Sequence, residues 1–126
     1  FGLAEYFEAE PFVFIGKNSD NDEFYKSVVK NNELLLSKVR DENIFHYSLS
    51  NLTYTEALLN HLCKDLSNDY RIVIAPCGPK PFTLVSLITC IKIGDIDVWR
   101  ISASSNNKPV DKIENGEVVT LKVSFC

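Results

Sequence analysis

Apolar residues in this chain fall into short unbroken runs that alternate with longer periodic stretches. Phe12-Val13-Phe14-Ile15, closed by Gly16, reads as a fully buried strand. Lys17 to Asp22 is polar and rich in helix-capping residues. Phe24, Val28, Leu35 and Val39 then recur at helical spacing, which predicts a helix over 22–40. Ile44 to Leu49 reads as a second strand, with Phe45, Tyr47 and Leu49 on one face and Ile44, His46 and Ser48 on the other. Thr53-Tyr54-Thr55-Glu56 fits a capping box, and Leu58, Leu59, Leu62 and Leu66 continue as a helical stripe. Arg71 to Ala75 is a third strand, stopped by Pro76. After the tight loop Cys77-Gly78-Pro79-Lys80, Pro81 suits the first turn of a third helix. That helix runs to Ile93 and is apolar on most sides, so burial nearly all round is expected. Ile96 to Ile101 is a fourth strand, followed by a polar loop over 102–111. Val118 to Phe125 alternates in strand period after the turn Asn115-Gly116. Phe1 to Glu10 has a helical pattern in Leu3, Tyr6 and Phe7.

The order β-α-β-α-β-α-β predicts an α/β fold, a three-layer Rossmann-like sandwich around an open, mostly parallel sheet. Crossovers should be right-handed. The last strand follows a loop rather than a helix, so it is expected as an antiparallel edge strand. A chain of 126 residues is the size of one domain. It begins at Phe1 and contains no Met, as an excised part of a longer protein would. The helix at 1–10 would then belong to a preceding unit.

Charge and cysteine content narrow the function. Seventeen acidic against thirteen basic residues give a net charge of −4, which argues against duplex nucleic acid as a partner. The densest apolar run, Phe82 to Ile93, is too short to span a bilayer, so no membrane partner is expected. No signal-peptide pattern is visible. Cys63, Cys77, Cys90 and Cys126 form no CxxC, and His46 and His61 lack zinc-type spacing with them, so no metal or cofactor is implied. Cys63 and Cys90 fall in helical patterns, where a reduced thiol packs as a small apolar group. A reducing cytoplasm is the expected location.

Open parallel sheets bind ligands beyond the carboxyl ends of their strands. Those ends carry Gly16, Lys17, Asn18 and Ser19; then Ser48, Ser50 and Asn51; then Cys77, Gly78 and Lys80; then Ser102, Ser104, Ser105, Asn106, Asn107 and Lys108. Hydroxyls, amides and lysines suit an anionic ligand better than acid–base hydrolysis, although polar loops also form as plain turns. In Cys77-Gly78-Pro79-Lys80-Pro81 the glycine lets backbone approach a ligand, and Lys80 adds charge at a helix start already partly positive. Neither GxxxxGK[ST] nor GxGxxG occurs.

The segment from Ile72 to Thr83 resembles the strand–(Gly-Thr-Lys)–helix element of CARF-type domains, Rossmann-like sensors of cyclic oligoadenylates in prokaryotic antiviral defence. Pro79 stands where that family usually has Thr. The resemblance implies ligand contact through Gly78 and Lys80, with 16–19 on the facing loop, and a homodimer with ligand across the two-fold. Two other readings stay open. One is an enzyme that uses Cys77 as nucleophile, its thiolate favoured by the helix start and Lys80, or that binds a phosphate ester at the same loop. The phosphatase pattern C-x5-R fails, since Thr83 stands at the arginine position. The other is a non-catalytic protein-interaction module. His46 sits mid-strand and His61 mid-helix, positions that suit structural roles, and Arg100 on a strand needs Asp95, Asp97 or an anion as partner.

Overall fold

The computed structural model describes residues 2–18, 22–101, 113, 114, 116 and 118–125. The elements are helix α1 (Gly2–Tyr6), strand β1 (Val13–Lys17), helices α2 (Asp22–Asn31) and α3 (Glu33–Leu36), strand β2 (Ile44–Ser48), helix α4 (Leu52–Leu66), strand β3 (Ile72–Ile74), helix α5 (Lys80–Ile93) and strand β4 (Ile96–Val98). The α/β order agrees with the pattern of the sequence. Both strand pairs are parallel, β1 with β2 and β3 with β4, and each pair is bridged by helix as a parallel connection requires.

The pairing departs from the single open sheet expected. The strands form two two-stranded sheets. The chain divides into two compact units, Phe1–Asn51 and Leu52–Cys126, with one sheet in each. The strand expected over 118–125 is absent among the described residues. Alternation makes a strand only where a neighbouring edge accepts its backbone, and Val118, Val119, Val123 and Phe125 instead stand exposed.

In the first unit, Val13 pairs with Ile44, Ile15 with His46 and Lys17 with Ser48. Ile15 is buried, and on the opposite face Phe14 and Phe12 stack on Phe45 at 5.1 and 6.4 Å. The helix expected over 22–40 breaks at Asn32. Its side chain donates to the Val28 carbonyl at 2.8 Å, beside its own backbone N–H, which reaches the same oxygen at 3.2 Å. No residue of α2 is buried, and Phe24 stays exposed; the stripe reaches the core only at Val39. At the amino ends of the strands, Glu10 gathers the chain. Its Oε1 accepts from Arg40 Nε at 3.0 Å, Arg40 Nη2 at 2.6 Å and buried Asn43 Nδ2 at 2.8 Å.

In the second unit, α4 packs on α5. The buried seam of α4 is Leu52, Thr55, Leu59 and Cys63, at helical spacing. Fully buried Ser86 and Thr89 of α5 return their hydroxyls to the Phe82 and Val85 carbonyls, which satisfies them without a partner from outside the helix. The helix α4 begins one residue before Thr53, and Glu56, expected in the capping box, accepts from Lys92 Nζ on α5 at 2.8 Å. The burial expected all round α5 holds on one side only. Phe82, Val85 and Ile88 are buried, whereas Leu84, Leu87 and Ile91 are 42%, 46% and 64% exposed. Strands β3 and β4 are only three residues long and cover little of a fourteen-residue helix.

Candidate functional site

The carboxyl ends of β1 and β2 carry one candidate site. Strand alternation and the parallel register send Ile15, Lys17, His46 and Ser48 to one face, while Gly16 and Tyr47 turn to the other. Lys17, His46, Tyr47 and Ser48 line a surface recess of about 250 Å³. Helix α2 adds Tyr25, whose hydroxyl shares a 3.0 Å hydrogen bond with His46 Nε2. The two rings are tilted, with centroids 5.6 Å apart.

Lys17 Nζ lies 4.7 Å from the centre of the Tyr25 ring, a cation–π distance. Among the described residues, Lys26, Lys38, Arg40, Arg71 and Lys92 pair with carboxylates, and Lys17 does not. The Lys17 ammonium is therefore held against an aromatic face with its charge available to an incoming anion. Partial burial, and after it the charge of Lys17, lower the His46 pKa from its ordinary value of 6.5. The Ser48 hydroxyl turns the chain after β2: it accepts from the backbone amides of Ser50 and Asn51, each at 3.3 Å, and lies 3.0 Å from the Ser50 hydroxyl. Gly16 is buried, and the space its Cβ would take is filled by Leu49 and Tyr47. Asn18 follows β1 half-buried. Ser19 lies outside the described residues.

In the second unit the loop after β3 carries Cys77, Gly78 and Lys80, all exposed. The Cys77 thiol donates to the Ala75 carbonyl at 3.4 Å. Lys80 is the first residue of α5, and Pro79 before it offers no side-chain cap. Beyond β4, Ser102, Ser104, Ser105, Asn106, Asn107 and Lys108 lie outside the described residues. Arg100 is exposed; the acid of β4 that a strand arginine would seek, Asp97, is held by Arg71 at 2.8 Å. Cys63, Cys77 and Cys90 are free thiols, and among the described residues no cluster of His, Cys, Asp and Glu is arranged for a metal ion. Among the described residues no helix is long and apolar enough to cross a membrane.

Comparison with family models, curated proteins and solved structures returns no match. Sequence reasoning missed Tyr25 and treated His46 as structural. The signal was parity: Lys17 lies an even number of positions from Ile15, and His46 shares its strand face with Ser48. Parallel pairing of the two strands then brings Lys17, His46 and Ser48 to one edge.

Proposed function

We propose that this chain is a ligand-sensing domain of the Rossmann-like α/β kind, which binds a small anionic, nucleotide-like ligand at the carboxyl ends of its strands and leaves it unchanged. One observation carries the reading. Lys17, with no carboxylate partner among the described residues, converges with His46, Tyr47 and Ser48 on one recess at the strand edge where parallel sheets bind ligands, and Tyr25 stands against both Lys17 and His46. A volume of about 250 Å³ is below the roughly 300–1,000 Å³ of a drug-sized pocket, so the recess suits one charged group of a larger ligand.

In this reading Gly16 by its backbone, Asn18 and Ser19 extend the contact set of the first unit, and Gly78, Lys80 and Ser102 form a separate contact set in the second. The resemblance to CARF-type domains adds a three-layer arrangement, a homodimer and a ligand shared across its two-fold. Three free thiols accord with a reducing cytoplasm as its location.

Thermal-shift measurements on the wild type, Lys17→Ala and Lys80→Ala against nucleotides, cyclic oligonucleotides and sugar phosphates test the reading. Ligand at one hundred times its Kd stabilises by about 2.7 kcal/mol. A shift lost in Lys17→Ala supports the site. Turnover of the ligand, lost in a Cys77→Ser variant, would make the chain an enzyme. The absence of any shift in folded protein would leave an interaction module.

A further inference from the structure

We propose that the recess at the ends of β1 and β2 takes up a doubly charged oxyanion of the phosphoryl class together with one proton, which His46 receives from solvent. The inference rests on the reading of that recess as the ligand site, and it follows from charge balance. Of the lining residues Lys17, His46, Tyr47 and Ser48, only Lys17 carries a permanent positive charge. A dianion brings two negative charges. Among the described lining residues, His46 is the group that can supply the second positive charge, since it gains a proton near neutral pH.

The Tyr25–His46 hydrogen bond makes that protonation useful to the ligand. In the neutral imidazole, the 3.0 Å bond between the Tyr25 hydroxyl and Nε2 is satisfied by a single hydrogen from either side. In the imidazolium both ring nitrogens are donors, so Nε2–H donates to the Tyr25 oxygen and the phenolic hydrogen is freed for another acceptor. One proton thus supplies a charge and redirects a donor. No covalent bond forms or breaks.

Among the described residues the ionisable groups facing His46 are Lys17 from β1 and Tyr25 from α2. In the empty site Lys17 disfavours the imidazolium, as partial burial does. A bound dianion reverses the sign of that local field. Linkage is reciprocal: the factor by which protonation tightens the anion is the factor by which the anion favours protonation.

The test is an NMR titration of the whole chain with inorganic sulfate, a dianion of constant charge over about pH 5 to 8, the range in which histidine titrates. Sodium chloride at equal ionic strength removes the contribution of screening. His46 and His61 are the two histidines, and a His46→Gln variant assigns their ring signals. Sulfate is expected to move the Lys17 and Ser48 amides and raise the His46 midpoint, with His61 unmoved. Affinity should weaken by up to about tenfold per pH unit above the free His46 midpoint. Lys17→Ala should abolish the amide shifts and raise the His46 midpoint without any anion. Amide shifts with an unchanged His46 midpoint would leave the anion site standing and overturn the proton uptake. No amide shift at any pH would overturn both.

Discussion

The Tyr47 ring occupies the space that a side chain at Gly16 would need. A Cβ there would stand 3.1 Å from the phenolic oxygen, 3.2 Å from Cζ and 2.7 Å from Leu49 Cδ2. Leu49 can swing its end away, whereas Tyr47 is buried and its ring cannot yield without moving the strand behind it. Gly16→Val is expected to destabilise the first unit by about 2 kcal/mol through overpacking, and Gly16→Ala by less. Urea denaturation of both variants measures this.

Glu10 holds more than an exposed ion pair. One of its carboxylate oxygens serves both Arg40 and the amide of Asn43, which is 4% exposed. Removal of the acid leaves Asn43 with only the Pro11 carbonyl, a longer contact at 3.3 Å. Glu10→Ala should therefore cost about 1–2 kcal/mol, the penalty for an undersatisfied buried donor. Arg40→Ala removes solvent-screened pairs with Glu10 and Glu42 and should cost below about 1 kcal/mol. The ordering of the two denaturation midpoints decides the matter.

Stability should fall towards both ends of the pH scale, for opposite reasons. Burial raises the Tyr47 phenol from 10.0 to about 12. The unfolded chain loses that proton first, so the stabilisation is complete below pH 10 and disappears as pH rises towards about 12. It amounts to something on the order of 2 kcal/mol, and Tyr47→Phe should flatten the alkaline limb. His46 is lowered from 6.5, so the unfolded chain binds its proton first. Its contribution is present above pH 6.5 and is lost as pH drops through that value towards the folded pKa. The pH profiles of the wild type and His46→Gln should differ in shape on that acid limb, beyond a pH-independent offset from the lost Tyr25 contact.

The thiols should react in a fixed order. Cys77 is exposed, whereas Cys63 is 2% exposed and burial pushes its pKa from 9.0 to about 11. A disulfide reagent at mildly alkaline pH should modify Cys77 before Cys63. Cys63 should follow at least about a hundredfold more slowly, since its thiolate is scarce and shielded. Mass spectrometry of the partly modified chain identifies the site, and equal rates would contradict the burial of Cys63.

The order of elements was legible because each short apolar run, such as Phe12 to Ile15, and each stripe, such as Leu58 to Leu66, is a local pattern. The helix is interrupted at Asn32, where the side-chain amide joins the backbone N–H on the Val28 carbonyl, and helical spacing in the sequence continues past it unchanged. Pairing is not local. Val118 to Phe125 has the alternation of a strand, yet alternation says nothing about whether an edge is there to meet it. The candidate site divides in the same way. Lys17 and Ser48 were visible as strand-end residues. The bond from Tyr25 to His46 joins residues 21 apart and emerges only when α2 is laid over the parallel pair.

The Glu10 knot lies where β1 and β2 begin, and the recess lies where they finish. The residues that secure the first unit thus sit at the opposite end of the paired strands from those that would recognise a ligand, although the two sets alternate along the chain. Lys17, Asn18, Ser48 and Ser50 can be exchanged for other side chains without disturbing Glu10, Arg40 or Asn43. Exchange of an exposed rim side chain such as Lys17 leaves the Glu10 knot in place, whereas Ser48, whose hydroxyl accepts from the Ser50 and Asn51 amides, also holds the turn after β2.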